Sequence, residues 1–120
     1  MIHLHSPAAT AIACLPPRPA DARADLPTYT PYRVMSLGDV PLVPYAAPGD
    51  RLLGDQVRRE LATGARVLLL ANHGSVVAAA SLERAADLAE ELEASAQLAL
   101  TLAGRGAVEL TARQQADLRR

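Results

Sequence analysis

Phenylalanine and tryptophan are absent from this 120-residue chain, and tyrosine occurs only three times. Aromatic side chains bury more area than any others, so the core must be built from Leu, Val and Ala. Half of the residues are apolar, which is enough for one core, but a small Ala-rich core is marginally stable by itself. The length indicates a single domain over residues 1–120, or part of one, and the composition favours an oligomer formed with identical or other chains.

Lysine is also absent, and the 12 basic residues are all arginines scattered along a chain of net charge −1. Nucleic-acid-binding proteins carry clustered basic residues, so we expect no nucleic-acid partner. No apolar run approaches the roughly 20 residues that span a bilayer, and no basic segment of a secretion signal follows Met1. Cys14 is the only cysteine, which excludes an internal disulfide and suits a reducing compartment. These absences together predict a cytoplasmic protein without membrane contact.

The opening segment, IHLHS, alternates in the manner of a strand and ends at Ser6. Ser6 is a favourable helix N-cap and Pro7 suits the first helical position, so a short helix is predicted next. Pro16 and Pro17 end that helix. Cys14 would lie within it, and we expect its side chain to be buried among Ala and Leu.

Eight of the nine prolines lie between residues 16 and 48, a density that excludes a long regular element there. Two short strands are predicted within this stretch, at 34–37 and 41–45. A helix over 51–62, capped by Asp50 and ended by Gly64, follows it. The apolar face predicted for that helix contains Leu52, Leu53, Val57 and Leu61.

The segment ARVLLLANHG gives the strongest strand signal, because its apolar run suits a strand covered on both faces. A hairpin turn at Asn72-His73-Gly74 would lead into a second strand. The longest predicted helix is capped by Ser81 and runs from Leu82 to about Ala103, with Glu90, Glu91 and Glu93 on a solvated face or a subunit contact. Thr111 and Gln114 form a capping-box pattern for a last short helix.

Three histidines form the candidate chemical site. On a strand His3 and His5 share one face, about 6–7 Å apart at Cα, a spacing from which two imidazoles can bind one cation. His73, the only other histidine, lies where the predicted central strand ends. Three imidazoles with an open position are typical of a catalytic zinc site. From the residues alone an alternative stays open, in which His3 and His5 are solvated edge-strand residues and His73 is only a turn residue.

Three blocks of the sequence resemble a known family. They are IHLHSPAATAIACL, TPYRVMSLGDVPLVPYAAPGD and VLLLANHGSVVAAASLERAADLAEELEASAQL. In order and spacing they are similar to the C-terminal half of the class II aldolase/adducin family, particularly its 3-oxo-tetronate 4-phosphate decarboxylase and fuculose-phosphate aldolase members. The resemblance implies a three-layer α/β/α fold with a mainly antiparallel sheet, and a cyclic homotetramer with active sites between neighbours.

Carried over residue by residue, the resemblance makes His3, His5 and His73 the ligands of a divalent cation, expected to be zinc. Tyr32 is a candidate proton donor, with packing in the Pro-rich segment as an equal alternative. The implied activity is that of a metal-dependent lyase. It would decarboxylate a 3-oxo-tetronate 4-phosphate or cleave a ketose phosphate by a retro-aldol reaction, through a metal-stabilised enediolate.

Members of this family carry a further half before the H-x-H motif, which supplies a glutamate and the phosphate-binding loops. Only Met1 and Ile2 precede His3 here, so we expect an N-terminally truncated domain with impaired activity. The competing interpretation is a non-catalytic, adducin-like interaction module or a remnant. A barrel-type metal hydrolase needs about 250 residues and is disfavoured by length. A cupin is disfavoured by the long predicted helix.

Overall fold

The computed structural model describes residues 1–119, which form four strands, four α-helices and one π-helical turn. In chain order these are β1 (Ile2–Leu4), α1 (Pro7–Ala13), the π-helical turn (Arg33–Leu37), β2 (Leu42–Val43), α2 (Arg51–Ala62), β3 (Val67–Leu70), β4 (Gly74–Val77), α3 (Leu82–Leu102) and α4 (Ala112–Leu118). None of the helices in this described part is long and apolar enough to cross a membrane.

The strands form one sheet in the order β1-β4-β3-β2. β1 and β3 each run antiparallel to β4, whereas β2 runs parallel to β3. The expectation of a mainly antiparallel sheet is therefore wrong, and the sheet is mixed. The cause is local: α2 connects β2 to β3, and a helical crossover returns the chain in the same direction, while the short β3–β4 connection reverses it.

Helices cover both faces of the sheet. On one face, α1 and α3 pack on Leu69 and Val77 through residues such as Ile12, Leu88 and Leu92. On the other face, α2 packs on a second cluster formed by Val43, Leu68, Leu70 and Val76. The layers are thus α/β/α. They explain the apolar run of β3, because all four of its residues are buried between the helices.

The strand predicted at 34–37 is wrong, since these residues belong to the π-helical turn. A short segment of mostly apolar residues does not distinguish a strand from a turn of helix. The deciding group is Arg33, whose buried guanidinium donates hydrogen bonds to the carbonyl oxygens of Leu26 and Gly38. The bond from Arg33 to Gly38 joins the residue just before segment 34–37 to the residue just after it. In an extended strand these two residues would be too far apart for this bond.

Two smaller predictions for the helices also need correction. α1 ends at Ala13, and Cys14 is an exposed C-cap residue rather than a buried one. Leu52 is half exposed, so the packed face of α2 consists of Leu53, Val57 and Leu61. The Asp50 cap of α2 and the Thr111–Gln114 capping box of α4 are confirmed.

Candidate metal centre

His3 and His5 lie on and directly after β1, which is the edge strand of the described sheet. His3 is opposite Val76, a member of the cluster beneath α2, whereas its neighbour Ile2 packs on the α1–α3 side. This alternation places the rings of both histidines on the α2 face, as the sequence predicts.

His73 reaches the same place from the β3–β4 connection. Its backbone N–H donates to the Leu70 carbonyl at 3.0 Å, and the N–H of Asn72 donates to the Ala13 carbonyl at 3.0 Å. Asn72 has a φ of 58°, a left-handed conformation that Asn adopts more readily than most residues. The loop is therefore tied both to the end of β3 and to the end of α1.

The three rings meet. Their centroids are 4.8 Å apart for His3 and His5, 4.9 Å for His3 and His73, and 5.0 Å for His5 and His73. The Nε2 atoms of His3 and His5 are 3.2 Å apart. Two nitrogens at zinc–nitrogen distances of about 2.0–2.1 Å in a tetrahedral site are separated by roughly 3.3 Å. The spacing of the ring nitrogens therefore fits a metal ion of this size.

The sheet itself sets the tautomer of His3. Its Nδ1 lies 2.8 Å from the backbone carbonyl oxygen of Ser75, so the nitrogen must carry the proton and donate. The lone pair is then on Nε2, the atom directed at His5. Metal-binding histidines are commonly oriented by such a bond from their other ring nitrogen.

His73 has a buried ring nitrogen, Nδ1, that lacks a hydrogen-bond partner among the described residues. Burial, followed by the neighbouring His3 and His5 rings, lowers the pKa of His73 below its ordinary value. A buried ring nitrogen without a hydrogen-bond partner is costly in a folded protein, and a cation bound by that nitrogen would offset the cost.

Gly74 is needed for this arrangement. A Cβ atom at residue 74 would lie 2.3 Å from the carbonyl oxygen of Leu4 and 2.9 Å from Cδ2 of His5. The sequence predicts Gly74 only as a turn residue, but the structure shows that its missing side chain lets β1 approach β4. Only the strand register reveals this role.

Glu93 holds the chain just after His5. Its carboxylate on α3 accepts hydrogen bonds from the backbone N–H groups of Ala8 (3.1 Å) and Ala9 (2.8 Å), in the first turn of α1. Ser6 occupies the N-cap position, but its side chain makes no capping bond. The expectation of a solvated face or subunit contact is wrong for Glu93. Glu91 accepts a bond from the Ser95 hydroxyl on its own helix, and for this residue the expectation stays a prediction.

An open groove of about 510 Å³ gives access to the cluster. His3 and His73 line one side of it, and the packed residues of α2 (Leu53, Val57 and Leu61) line the other. This volume lies within the roughly 300–1,000 Å³ of small-molecule sites. The groove could therefore hold a small substrate against the histidines.

The remaining candidates are not brought to this site. Tyr32, at the start of the π-helical turn, is 67% exposed and does not line the groove. Cys14 is not part of the cluster, which in the described chain contains the three histidines and no carboxylate.

Residues 1–100 match the family described as Class II Aldolase and Adducin N-terminal domain. Among curated proteins, the chain is similar to the 3-oxo-tetronate 4-phosphate decarboxylase of Escherichia coli K12, with 44% identity over 119 residues. That match covers 99% of this chain and 55% of the relative, so the chain spans about half the length of this relative.

Two solved structures have the same fold. The crystal structure of YgbL from Escherichia coli has a TM-score of 0.88 and 45% identity, over 98% of this chain and 56% of YgbL. L-fuculose 1-phosphate aldolase has a TM-score of 0.80 and 29% identity, over 97% of this chain and 51% of the aldolase. With most of its length matched by the family and by these relatives, the chain belongs to the class II aldolase and adducin family.

Proposed function

We propose that this chain is the metal-binding portion of a carbon–carbon lyase that acts on a phosphorylated sugar or sugar acid. The observation that carries the proposal is the convergence of His3, His5 and His73 at ring-centroid distances of 4.8–5.0 Å beside an open groove. Similarity to a decarboxylase and to an aldolase supports the lyase class.

Zinc is the proposed ion, because three imidazoles with a position left open are typical of catalytic zinc. When bound, the dication supplies Lewis-acid stabilisation of the negative charge that develops as an enediolate forms. The protein prepares the ligands. The Ser75 carbonyl holds the proton of His3 on Nδ1, and burial lowers the pKa of His73, which favours the neutral ring that binds a metal. Leu53 and Val57 give the groove an apolar wall that reduces access of water.

Between the two reactions, we favour decarboxylation of a 3-oxo-tetronate 4-phosphate over retro-aldol cleavage of a ketose phosphate. The reason is the higher identity to the decarboxylase, 44% against 29% for the aldolase. Both reactions also need a group that moves a proton, and the described histidine cluster holds no carboxylate for that role. We therefore propose that the 120-residue chain by itself turns over either substrate poorly.

Metal binding is the direct test of this proposal. The purified protein should bind close to one equivalent of zinc, and alanine at residue 3, 5 or 73 should weaken binding. The loss should reach at least the roughly 10–100-fold that removal of an outer-sphere partner costs. Cys14→Ser is the matched control, because Cys14 is a strong potential ligand that lies outside the cluster. A protein that binds no zinc at micromolar concentration would support the non-catalytic, adducin-like alternative.

We also propose a homo-oligomer, with a cyclic tetramer as the expected form. Large side chains remain exposed on the described surface, among them Met35 (53%) and Tyr45 (61%). Exposed Tyr32 would then act, as a proton donor, in the site of a neighbouring subunit. Light scattering of the eluted protein measures the assembly, and a monomer at all concentrations would contradict this proposal.

A further inference from the structure

A second cavity, of about 380 Å³, lies among the segment after α1, the π-helical turn and α4. Arg33 lines it from the protein interior, and the exposed Arg18 and Arg119 line it nearer the solvent. None of its lining residues belongs to the histidine cluster or to the groove beside it. It is therefore a separate site.

Arg33 is a buried cation without a carboxylate partner. Only 6% of the residue is exposed, and within residues 1–119 no carboxylate lies at ion-pair distance from its guanidinium. Its Nε and Nη2 donate to the Leu26 carbonyl at 3.2 and 3.1 Å, and its Nη1 donates to the Gly38 carbonyl at 2.6 Å. A guanidinium has five N–H donors, so two remain. Buried charges are normally paired, which makes this cation exceptional.

More than one arginine acts on the charge of Arg33. Burial, together with Arg18 and Arg119, lowers the pKa of Arg33 to about 10, while Asp39 and Glu109 act in the opposite direction. Arg33 is still protonated at neutral pH. Arg18 and Arg119 make no ion pair in the described part of the chain.

The acidic residues that line the cavity are already engaged. Asp39 pairs with Arg23 at 2.8 Å, and Asp21 lies 3.7 Å from the same guanidinium. Glu109 accepts hydrogen bonds from the backbone N–H and the hydroxyl of Thr28. Arg18, Arg33 and Arg119 therefore line the cavity without a direct ion pair among the described residues, although Asp39 and Glu109 line it as well.

We propose that this cavity binds a phosphate-type oxyanion, either the free ion or the phosphate group of a small molecule. The arginine fork matches the oxygen spacing of a phosphate and can bind it with two parallel bonds. A cavity of this size accommodates such a group together with a small attached moiety. The bound anion would supply the missing partner of Arg33 and relieve its repulsion with Arg18 and Arg119.

Titration of the full chain with inorganic phosphate, in EDTA and at constant ionic strength set with potassium chloride, tests this proposal. Backbone amide signals followed by NMR should shift saturably around Thr28 and Gly38. Gln at both residue 18 and residue 119 should weaken binding about tenfold or more, because each arginine would lose its charge-assisted hydrogen bonds to the anion. Glycerol 3-phosphate as a second probe distinguishes a phosphorylated small molecule, which would bind more tightly, from the free ion.

Two control variants test whether phosphate binds at this cavity and not at other arginines or at the metal centre. Gln at Arg84 and Arg105, two exposed arginines that do not line the cavity, should leave phosphate binding unchanged. The variant His73→Ala should also leave it unchanged, so failure of the metal site would not affect the result. Shifts that do not saturate, that chloride reproduces, or that persist in the Arg18/Arg119 double variant would overturn the proposal.

Discussion

His73 follows a strand whose four residues are all buried, whereas His3 lies on the three-residue edge strand β1 and His5 lies directly after it. The position of His73 is therefore set by the core itself. The positions of His3 and His5 depend on a few specific contacts, chiefly those of Ser75, Gly74 and Glu93. We therefore expect substitutions in the central strands to reduce stability, and substitutions at the edge strand to reduce metal affinity.

The largest expected effect on stability comes from replacing a large buried side chain of the central strands with alanine. Leu69 is fully buried in β3, so Leu69→Ala should lower the free energy of unfolding by about 2–5 kcal/mol. Denaturant unfolding measures the loss. Leu52→Ala, at a half-exposed position of α2, is the control and should change stability much less. Zinc affinity of the fraction that stays folded should be close to that of the unchanged chain. A loss of zinc affinity in the folded Leu69→Ala protein would contradict the expectation that the central strands set stability and the edge sets metal affinity.

Gly74→Ala should affect both properties, because the added Cβ meets backbone and not only a side chain. We expect a stability loss of about 1–3 kcal/mol as β1 moves away from β4. Zinc affinity should fall about tenfold or more, since His5 is displaced with the strand. Calorimetry of zinc binding and thermal unfolding give the two values. Gly54→Ala is the control, because the nearest atom to its added Cβ would be the end of the Arg58 side chain at 3.6 Å. Unchanged zinc affinity in the Gly74 variant would contradict the role assigned to it.

Glu93→Gln should have a smaller effect, confined mainly to the edge. The amide keeps one acceptor oxygen but loses the charge and the second bond to the first turn of α1. We expect a stability loss of about 1–2 kcal/mol and a fall in zinc affinity near the lower end of the 10–100-fold range. Hydrogen exchange of the Ala8 and Ala9 amides should become faster. Glu91→Gln is the matched control on the same helix, because Glu91 bonds only to Ser95 in the described chain. Equal effects of the two substitutions would show that Glu93 has no special role at the site.

The smallest expected effect is that of Tyr32→Phe. The side chain is 67% exposed and does not line the groove, so stability and zinc affinity should change by no more than about 0.5 kcal/mol. Tyr45→Phe, at a similarly exposed tyrosine, is the comparison. If Tyr32 donates a proton in a neighbouring subunit, lyase turnover of the assembled protein should fall in the first variant and not in the second.

Much of this architecture could be predicted from local patterns. The β3–β4 hairpin and the caps at Asp50 and Thr111 follow from periodicity and capping residues. Spacing alone left the meeting of His3, His5 and His73 open, and the family resemblance was needed to predict it. The parallel pairing of β2 with β3 was missed because the resemblance implied a mainly antiparallel sheet.

The missed features depend on contacts between residues far apart in the chain. Glu93 bonds to residues 84 and 85 positions away, and no local pattern predicts such a pairing. The π-helical turn depends on the buried guanidinium of Arg33, which sequence reasoning treats as a solvent-exposed cation. Pattern therefore predicts which residues lie on strands and helices, whereas the supports of the site appear only when distant segments pack.

X-ray absorption at the zinc edge measures directly whether His3, His5 and His73 together bind one metal ion. For the zinc-loaded chain we predict a coordination shell that contains three imidazole nitrogens at about 2.0–2.1 Å, reduced to two in His73→Ala. A shell that is unchanged when His73 is removed, or one that contains a sulfur ligand, would contradict the proposed metal centre.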